Sequence, residues 1–256
     1  MEHENQWRNE WGGKMLFSHG SNHSRGVAVL FSKQSQLVID DYRSSNDGRI
    51  LLVKTKQDDS YIYLVNIYAP NTETAQIHFF KQLITEMTKF GINAESDIIL
   101  AGDFNVPLSP LDKTGGKLIL KTKVIEQIEN IASFCELHDN WRVRNPALRR
   151  YTWRQRHEQI QCRLDYFLIS HTLQDCVIKA EIIPAVKTDH SAIKIALRHI
   201  VDQPHGKGYW KFNASLIGDP DYTNKVKENI RTWKQEIEGI DPRYEWEYVK
   251  YKTRPL

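Results

Sequence analysis

Cysteine is scarce in this sequence. Its three thiols, Cys135, Cys162 and Cys176, are odd in number and contain no CxxC pair, which excludes a disulfide framework and a thiolate zinc site and points to a reducing compartment. Long apolar runs are missing as well. No stretch approaches the roughly 18 residues that cross a bilayer, and the polar opening "MEHENQWRNEW" is unlike a secretory signal. The sequence is therefore read as soluble and intracellular. A dominant charge sign is also lacking: 35 Lys and Arg against 32 Asp and Glu leave a net charge of +3. Such a balance permits a nucleic-acid partner without demanding one.

The 256 residues are 40% hydrophobic, enough for a sizeable core, and their length fits one large domain or one domain with an appendage. Alternation and short apolar runs predict strands over 26–32, 37–43, 49–55, 61–70, 97–105, 163–170, 176–184 and 191–198. Two helices interrupt them. Ile77, Phe80, Ile84 and Met87 recur at helical spacing between Thr74 and Phe90, and Val124, Ile128, Ile131 and Cys135 do the same between Lys121 and Cys135. Meandering strands with few helices argue for an α/β sandwich of packed sheets rather than a doubly wound parallel sheet. The pattern changes near Asp202. Residues 202–256 read as an extended linker and then a helix, with Asp219 as N-cap, Pro220 at its first position and an apolar stripe of Tyr222, Val226, Ile230, Trp233 and Ile237.

Chemistry gathers at predicted strand ends. The stretch "ILAGDFNVPLSPLD" closes an apolar strand with Asp103 and Asn105, two polar groups two positions apart that can face one pocket across a tight turn. Further along come "NIYAPN" (66–71), "RLDYFLIS" with Asp165, and "TDHSAI" with Asp189 and His190. Asp165 and His190 form a natural couple, because a carboxylate fixes the tautomer of an imidazole and stabilises its protonated form. From Arg142 to Arg163 seven arginines stand against one acid, Glu158, with Tyr151 and Trp153 between them. Guanidinium forks match phosphates and aromatic faces stack on bases, so this segment is a candidate DNA-contacting region.

Taken in order, "NIYAPN", "GDFNVPLSPLD", "YTW", "LDYFLIS" and "TDHSAI" resemble the endonuclease/exonuclease/phosphatase superfamily, and within it the apurinic-type endonuclease domain of non-LTR (LINE-type) retrotransposons. "GKGYWKFNASLIGD" is similar to the segment that follows that domain and leads toward a reverse transcriptase. The resemblance implies a four-layer α/β sandwich, two packed β-sheets flanked by helices as in DNase. It also implies Mg²⁺- or Mn²⁺-dependent hydrolysis of DNA, a nuclear location and a reverse transcriptase region in the full-length element. Carried over by motif, the catalytic residues would be His190, Asp165, Asp103, Asn105 and Tyr68, with Asp103, Asn105 and Asp189 at the metal. DNA would be held by Asn71, Arg149, Arg150, Thr152, Trp153 and Arg154.

The sequence departs from that pattern at its start. The family fold opens with a strand ending in Asn and a second ending in Gln-Glu, whose Glu binds metal, and neither is recognisable before Gly26. The resulting expectation is an endonuclease domain over 1–201 lacking its first strands, its catalysis impaired. Two alternatives stay open: a non-catalytic nucleic-acid-binding remnant, or a phosphatase or RNA nuclease of the same superfamily.

Overall fold

Continuous apolar strands dictate the centre of the molecule. In β4 (Ile50–Gln57) the residues Ile50 and Leu52 face one side and Leu51 and Val53 the other, all at most 2% exposed, so this strand must be covered on both faces. It lies in a six-stranded sheet of order β3 (Val38–Ser44), β4, β5 (Ser60–Tyr68), β6 (Asp97–Asp103), β11 (Asp165–Ser170) and β8 (Leu137–Asp139). Only β5 and β6 run parallel, and a parallel pair needs a crossover. Helix α2 (Glu73–Lys89) supplies it.

One face of the sheet carries α2 and α3 (Thr122–Phe134). Phe79, Phe80, Leu83 and Met87 of α2 and Val124, Ile128 and Ile131 of α3 interlock with Ile50, Leu52, Val65, Ile67, Ile98, Leu100 and Leu168. Each such side chain contributes about 1.5–3 kcal/mol on burial, which stabilises helices that would be marginal alone. The opposite face carries two hairpins. β1 (Met15–Ser21) and β2 (Ser24–Leu30) place Leu16, Val27 and Val29 over Leu51 and Val53. β12 (Val177–Ile183) and β13 (Ala192–Leu197) place Ile195 and Leu197 over Ile99, Phe167 and Ile169. Helix α1 (Glu4–Trp11) lies outside the first hairpin, where Trp7 meets the Phe17 ring at 6.4 Å and the Trp11 indole donates to Phe31 O at 2.8 Å.

The computed structural model describes residues 4–21, 24–155, 159–184, 188–198, 216, 218–237, 248–249 and 252–253. The chain divides into two compact units, Met1–Asp202 and Gln203–Leu256. Most of the expected linker lies outside the described residues. In the second unit α5 (Pro220–Glu236) begins as read, with Asp219 accepting from the N–H of Asp221 and Tyr222 at 2.9 and 3.3 Å. Among the described residues no helix is long and apolar enough to cross a membrane.

The layered sandwich with flanking helices agrees with the sequence reading, and three details differ. A helix and a strand, α1 and β1, precede Gly26, where none was expected. The strand "MLFSHGS" was obscured by its Ser, His and Gly. Asp165 opens β11 instead of lying within it. Short strands β7 (Lys113–Thr114), β9 (Trp153–Arg154) and β10 (Gln161–Cys162), with helix α4 (Asn140–Arg144), were below the length that periodicity detects.

Candidate active site

Three strand ends meet at one edge of the large sheet. Parallel register sets Tyr68 beside Asp103, and antiparallel register sets Asp103 opposite Asp165. Gly102, at φ +132°, lets the strand approach so closely that an added Cβ would lie 2.0 Å from Ile67 O. Beyond Asp103 the chain turns through Asn105, a non-glycine residue at φ 53°. The turn closes on itself: Asn105 N–H donates to Asp103 Oδ1 at 2.8 Å, and its amide Nδ2 donates to Ala69 O at 2.8 Å. The amide nitrogen is thus committed, and its oxygen is the group that Asn105 can offer a substrate or cation.

His190 faces this row from the loop before β13. Its Nδ1 lies 2.9 Å from Asp165 Oδ2, and one ligand atom each of Asp103, Asp165 and His190 fall within 4.8 Å of one another. The hydrogen-bonded Asp165 carboxylate raises the His190 pKa above its ordinary value, against the effect of partial burial. Desolvation, reinforced by the neighbouring Asp165, pushes the Asp103 carboxyl up to about 6, with the Asn105 N–H and His190 pulling the other way. The cluster is therefore poised: an imidazole whose protonated form Asp165 favours at one side and a carboxyl that holds its proton unusually long at the other.

Strand β9 joins the pieces. Thr152, just before it, is 0% exposed; its hydroxyl accepts from the N–H of Leu164 at 2.9 Å and of Asp165 at 3.1 Å. Its carbonyl accepts from Ser191 N–H at 2.5 Å, and Trp153 bridges to His190. One residue thereby ties the Asp165 strand to the His190 loop.

The structure brings Tyr68, Asp103, Asn105, Asp165 and His190 to one place. Asp189 is next to His190 in sequence but its carboxylate takes the Trp153 indole at 3.2 Å and the Thr188 hydroxyl at 3.3 Å, outside the Asp103 cluster. Slight desolvation there is outweighed by its backbone bond and the Trp153 indole, which hold its carboxyl below the usual range. Asn71 is exposed at the end of the loop after β5.

The arginine segment needs correction. Arg163 is 1% exposed and bonds Asp112 and Asp139 at 2.7 and 2.5 Å, and Arg142 bonds Asp112 at 2.6 Å. Arg144 donates to the Val177 carbonyl, and Arg149 to Pro110 and Lys113 carbonyls at 3.5 and 3.3 Å. Arg150 and Arg154 remain exposed, without an ion pair among the described residues, and Arg156 lies outside those residues. Thr152, expected at DNA, is buried with its hydroxyl engaged internally. The Arg163 network escaped the sequence reading, although the Ser109–Asp112 pair within "SPLD" is a capping-box signal, realised here with Asp112 Oδ2 accepting from Ser109 N and Oγ at 3.0 and 2.9 Å. Arg49 also went unnoticed; it lies 5.1 Å from the Tyr68 ring centre and donates to Tyr68 O at 2.8 Å.

Comparison with known proteins accords with this arrangement. The model of the endonuclease/exonuclease/phosphatase family matches residues 2–190. An uncharacterised 149 kDa protein of transposon TX1 from Xenopus laevis is 31% identical over 235 residues, covering 91% of this chain and 18% of its own length. A DNA-(apurinic or apyrimidinic site) endonuclease from Dictyostelium discoideum is 28% identical over 173 residues, 59% of this chain and 46% of that protein. The chain thus spans less than half the length of either relative. Among solved structures, an AP endonuclease from Leishmania major superposes with TM-score 0.57 at 20% identity, covering 73% of this chain and 71% of that one. The APE2 catalytic domain of Xenopus laevis superposes with TM-score 0.62 at 17% identity, covering 73% and 76%. A 3′ phosphatase from Neisseria, bound to a product DNA hairpin, gives 0.60 at 17%, covering 76% and 82%. With the family model matching residues 2–190, well over half of the 256, the chain belongs to the endonuclease/exonuclease/phosphatase family.

Proposed function

We propose that this chain is a metal-dependent phosphodiesterase acting on DNA, of the kind that nicks a target strand for a retrotransposon. The observation that carries the reading is the convergence of Asp103, Asp165 and His190 within 4.8 Å beside Tyr68 and Asn105. The transposon relative, matched along 91% of this chain, favours the mobile-element assignment.

The donor set suits a hard divalent cation. Carboxylate and amide oxygens are what Mg²⁺ and Mn²⁺ prefer, and the burial that, with the neighbouring Asp165, pushes the Asp103 carboxyl up to about 6 leaves a desolvated negative charge that a cation would compensate. Asp103 and Asn105 would hold it, with Asp189 at the rim; when bound it supplies charge neutralisation at the phosphate oxygens. The remaining chemistry belongs to the chain. Water forms a bond to phosphorus as the bond to the leaving sugar oxygen breaks. Asp103 accepts the water proton, His190 donates a hydrogen bond from Nε2 to a phosphoryl oxygen, and the Tyr68 hydroxyl donates to the departing oxygen. Asp165 holds His190 by Nδ1 and leaves Nε2 for the substrate. Arg150, Arg154 and Asn71 contact the strand on either side.

Only one three-ligand group occurs among the described residues, and it contains two carboxylates. Cation affinity, and with it turnover, is expected to be modest. The test is nicking of supercoiled plasmid with Mg²⁺ or Mn²⁺, an EDTA control and His190→Ala, beside an abasic-site duplex, RNA and a phosphomonoester. Nicking that needs both the metal and His190 supports the proposal. A folded protein that binds DNA but nicks nothing refutes it in favour of a binding role, and preference for RNA or the monoester reassigns the substrate.

A further inference from the structure

Helix α2 presents Phe79, Phe80, Leu83 and Met87 to the core, and at the next position of that stripe stands Gln76, 0% exposed. An apolar residue would satisfy the helix there, whereas a buried amide is costly unless its atoms are bonded. All its bonds leave the helix. Nε2 donates to Asn105 O at 2.9 Å and more weakly to Phe104 O at 3.4 Å, and Oε1 accepts from Lys121 Nζ at 2.7 Å. Lys121 Nζ also donates to Asn71 O at 2.8 Å.

Lys121 is itself oddly placed. It is the N-cap residue of α3, where a positive charge opposes the helix dipole. Desolvation holds its pKa below the ordinary value, with Glu73 acting the other way. The local helix gains nothing from this ammonium, so its bonds must be sought in what it joins. It joins the Asn71 loop to the Gln76 amide, and Gln76 joins the Asn105 turn. Asn105 sits at φ 53°, a left-handed conformation that residues with a side chain seldom adopt and that persists where neighbours over-determine it. Its N–H and Nδ2 are fixed by Asp103 and Ala69, and its carbonyl is the atom that Gln76 secures.

We propose that Gln76 and Lys121 are positioning residues, a buried strut that holds the Asn105 turn and the Asn71 loop in one fixed relation, so that the phosphate contact and the reacting centre move as a unit. The assignment of a reaction to that centre rests on the function proposed above; the strut itself rests on the bonds.

Two measurements test it on the intact chain. The first needs no activity: backbone amide NMR and hydrogen exchange of the wild type, Lys121→Met and Gln76→Leu. The strut predicts that Lys121→Met shifts and deprotects Asn105 as well as Asn71, although Lys121 touches only the latter. A change confined to Asn71 overturns it. The second is nicking kinetics with DNA affinity measured alongside. Misplacing a catalytic group by a fraction of an ångström to an ångström costs about tenfold to a hundredfold in rate, so kcat is expected to fall by that much in both variants. DNA affinity should fall by less than kcat, since Arg150 and Arg154 keep their places while the Asn71 loop loosens, and Lys121→Arg should recover the rate by preserving donors to both acceptors. A loss carried by affinity or KM with kcat unchanged leaves the Asn105 turn in place and refutes positioning of the reacting centre. Should Gln76→Leu fail to fold, the more exposed Lys121→Met and Lys121→Arg pair decides both measurements. If the wild type cleaves no substrate, the hydrolase reading falls, while the NMR comparison still accepts or rejects the strut.

Discussion

Thr152 should be indispensable for reasons that have nothing to do with touching DNA. Its hydroxyl, 0% exposed, is acceptor for two backbone N–H groups, those of Leu164 and Asp165, at 2.9 and 3.1 Å. Thr152→Val keeps the shape of the side chain and removes the oxygen, leaving both N–H groups buried and unpaired. Each such loss costs about 1–3 kcal/mol, so the variant should be about 2–5 kcal/mol less stable, allowing for partial rearrangement. For a domain of this size that is a fall of about 5–15 °C in melting temperature. Thr152→Ser keeps the acceptor and loses one methyl, a cost of about 1 kcal/mol. Urea titrations of the three proteins, followed by circular dichroism, give the differences directly, and nicking by the folded fraction reports on the Asp165–His190 couple. A valine variant within about 0.5 kcal/mol of wild type, or less stable by no more than the serine variant, would refute the reasoning. So would a loss expressed only as weaker DNA binding.

Four other outcomes are expected. Replacing exposed Arg150 and Arg154 with Ala should lower DNA affinity regardless of sequence and reduce the salt slope by about one per lost phosphate contact; replacing Arg149, whose guanidinium is already tied to two carbonyls, should change the slope less. Arg163→Met should be destabilising by about 3–5 kcal/mol in a thermal or urea melt, because it leaves the Asp139 carboxylate without its guanidinium partner and the buried Asp112 with Arg142 as its remaining one. Burial pushes Asp112 up, but Arg163 and Arg142 outweigh it and leave its folded pKa below the unfolded value, so its stabilising contribution is present above about pH 4 and is lost as pH falls through the folded value. Asp103 has the opposite sign: raised to about 6, it is protonated below that pH, so cation affinity measured calorimetrically should fall about tenfold per unit below pH 6 and level off above it.

The sheet was legible because its strands are unusually plain. "RILLVKT" and "DIILAGD" are apolar on both faces, and only a strand covered on two sides uses such runs. The helices were legible from 3.6-residue spacing, and their observed limits, Glu73–Lys89 and Thr122–Phe134, fall within a residue or so of the reading. The hairpin β1–β2 was half missed because Ser18, His19 and Gly20 break the alternation; Ser18 points inward all the same, buried and bonded to Ser45 O at 3.0 Å. A buried hydroxyl with a backbone partner looks identical, in sequence, to an exposed one.

The same ambiguity explains what was misjudged near the site. Asp103, Asp165 and His190 could be singled out because a titratable group at an apolar strand end has few cheap explanations. Arginine offers no such contrast. Within "RVRNPALRRYTWRQRHEQIQCR" the exposed Arg150 and the buried Arg163 carry the same charge and the same neighbours in sequence, and only their distance from Asp112 and Asp139 separates a surface contact from an internal pillar. Gln76 makes the point in reverse. A polar residue on a helical stripe reads as an imperfection of the core, yet its three bonds span 28 to 45 positions along the chain and end on the site. Motif residues announce chemistry because their type is costly where they stand, whereas positioning residues become visible only when their partners do. For this family member the second kind, Thr152, Gln76, Lys121 and Arg163, is where substitutions outside the motifs should be most damaging.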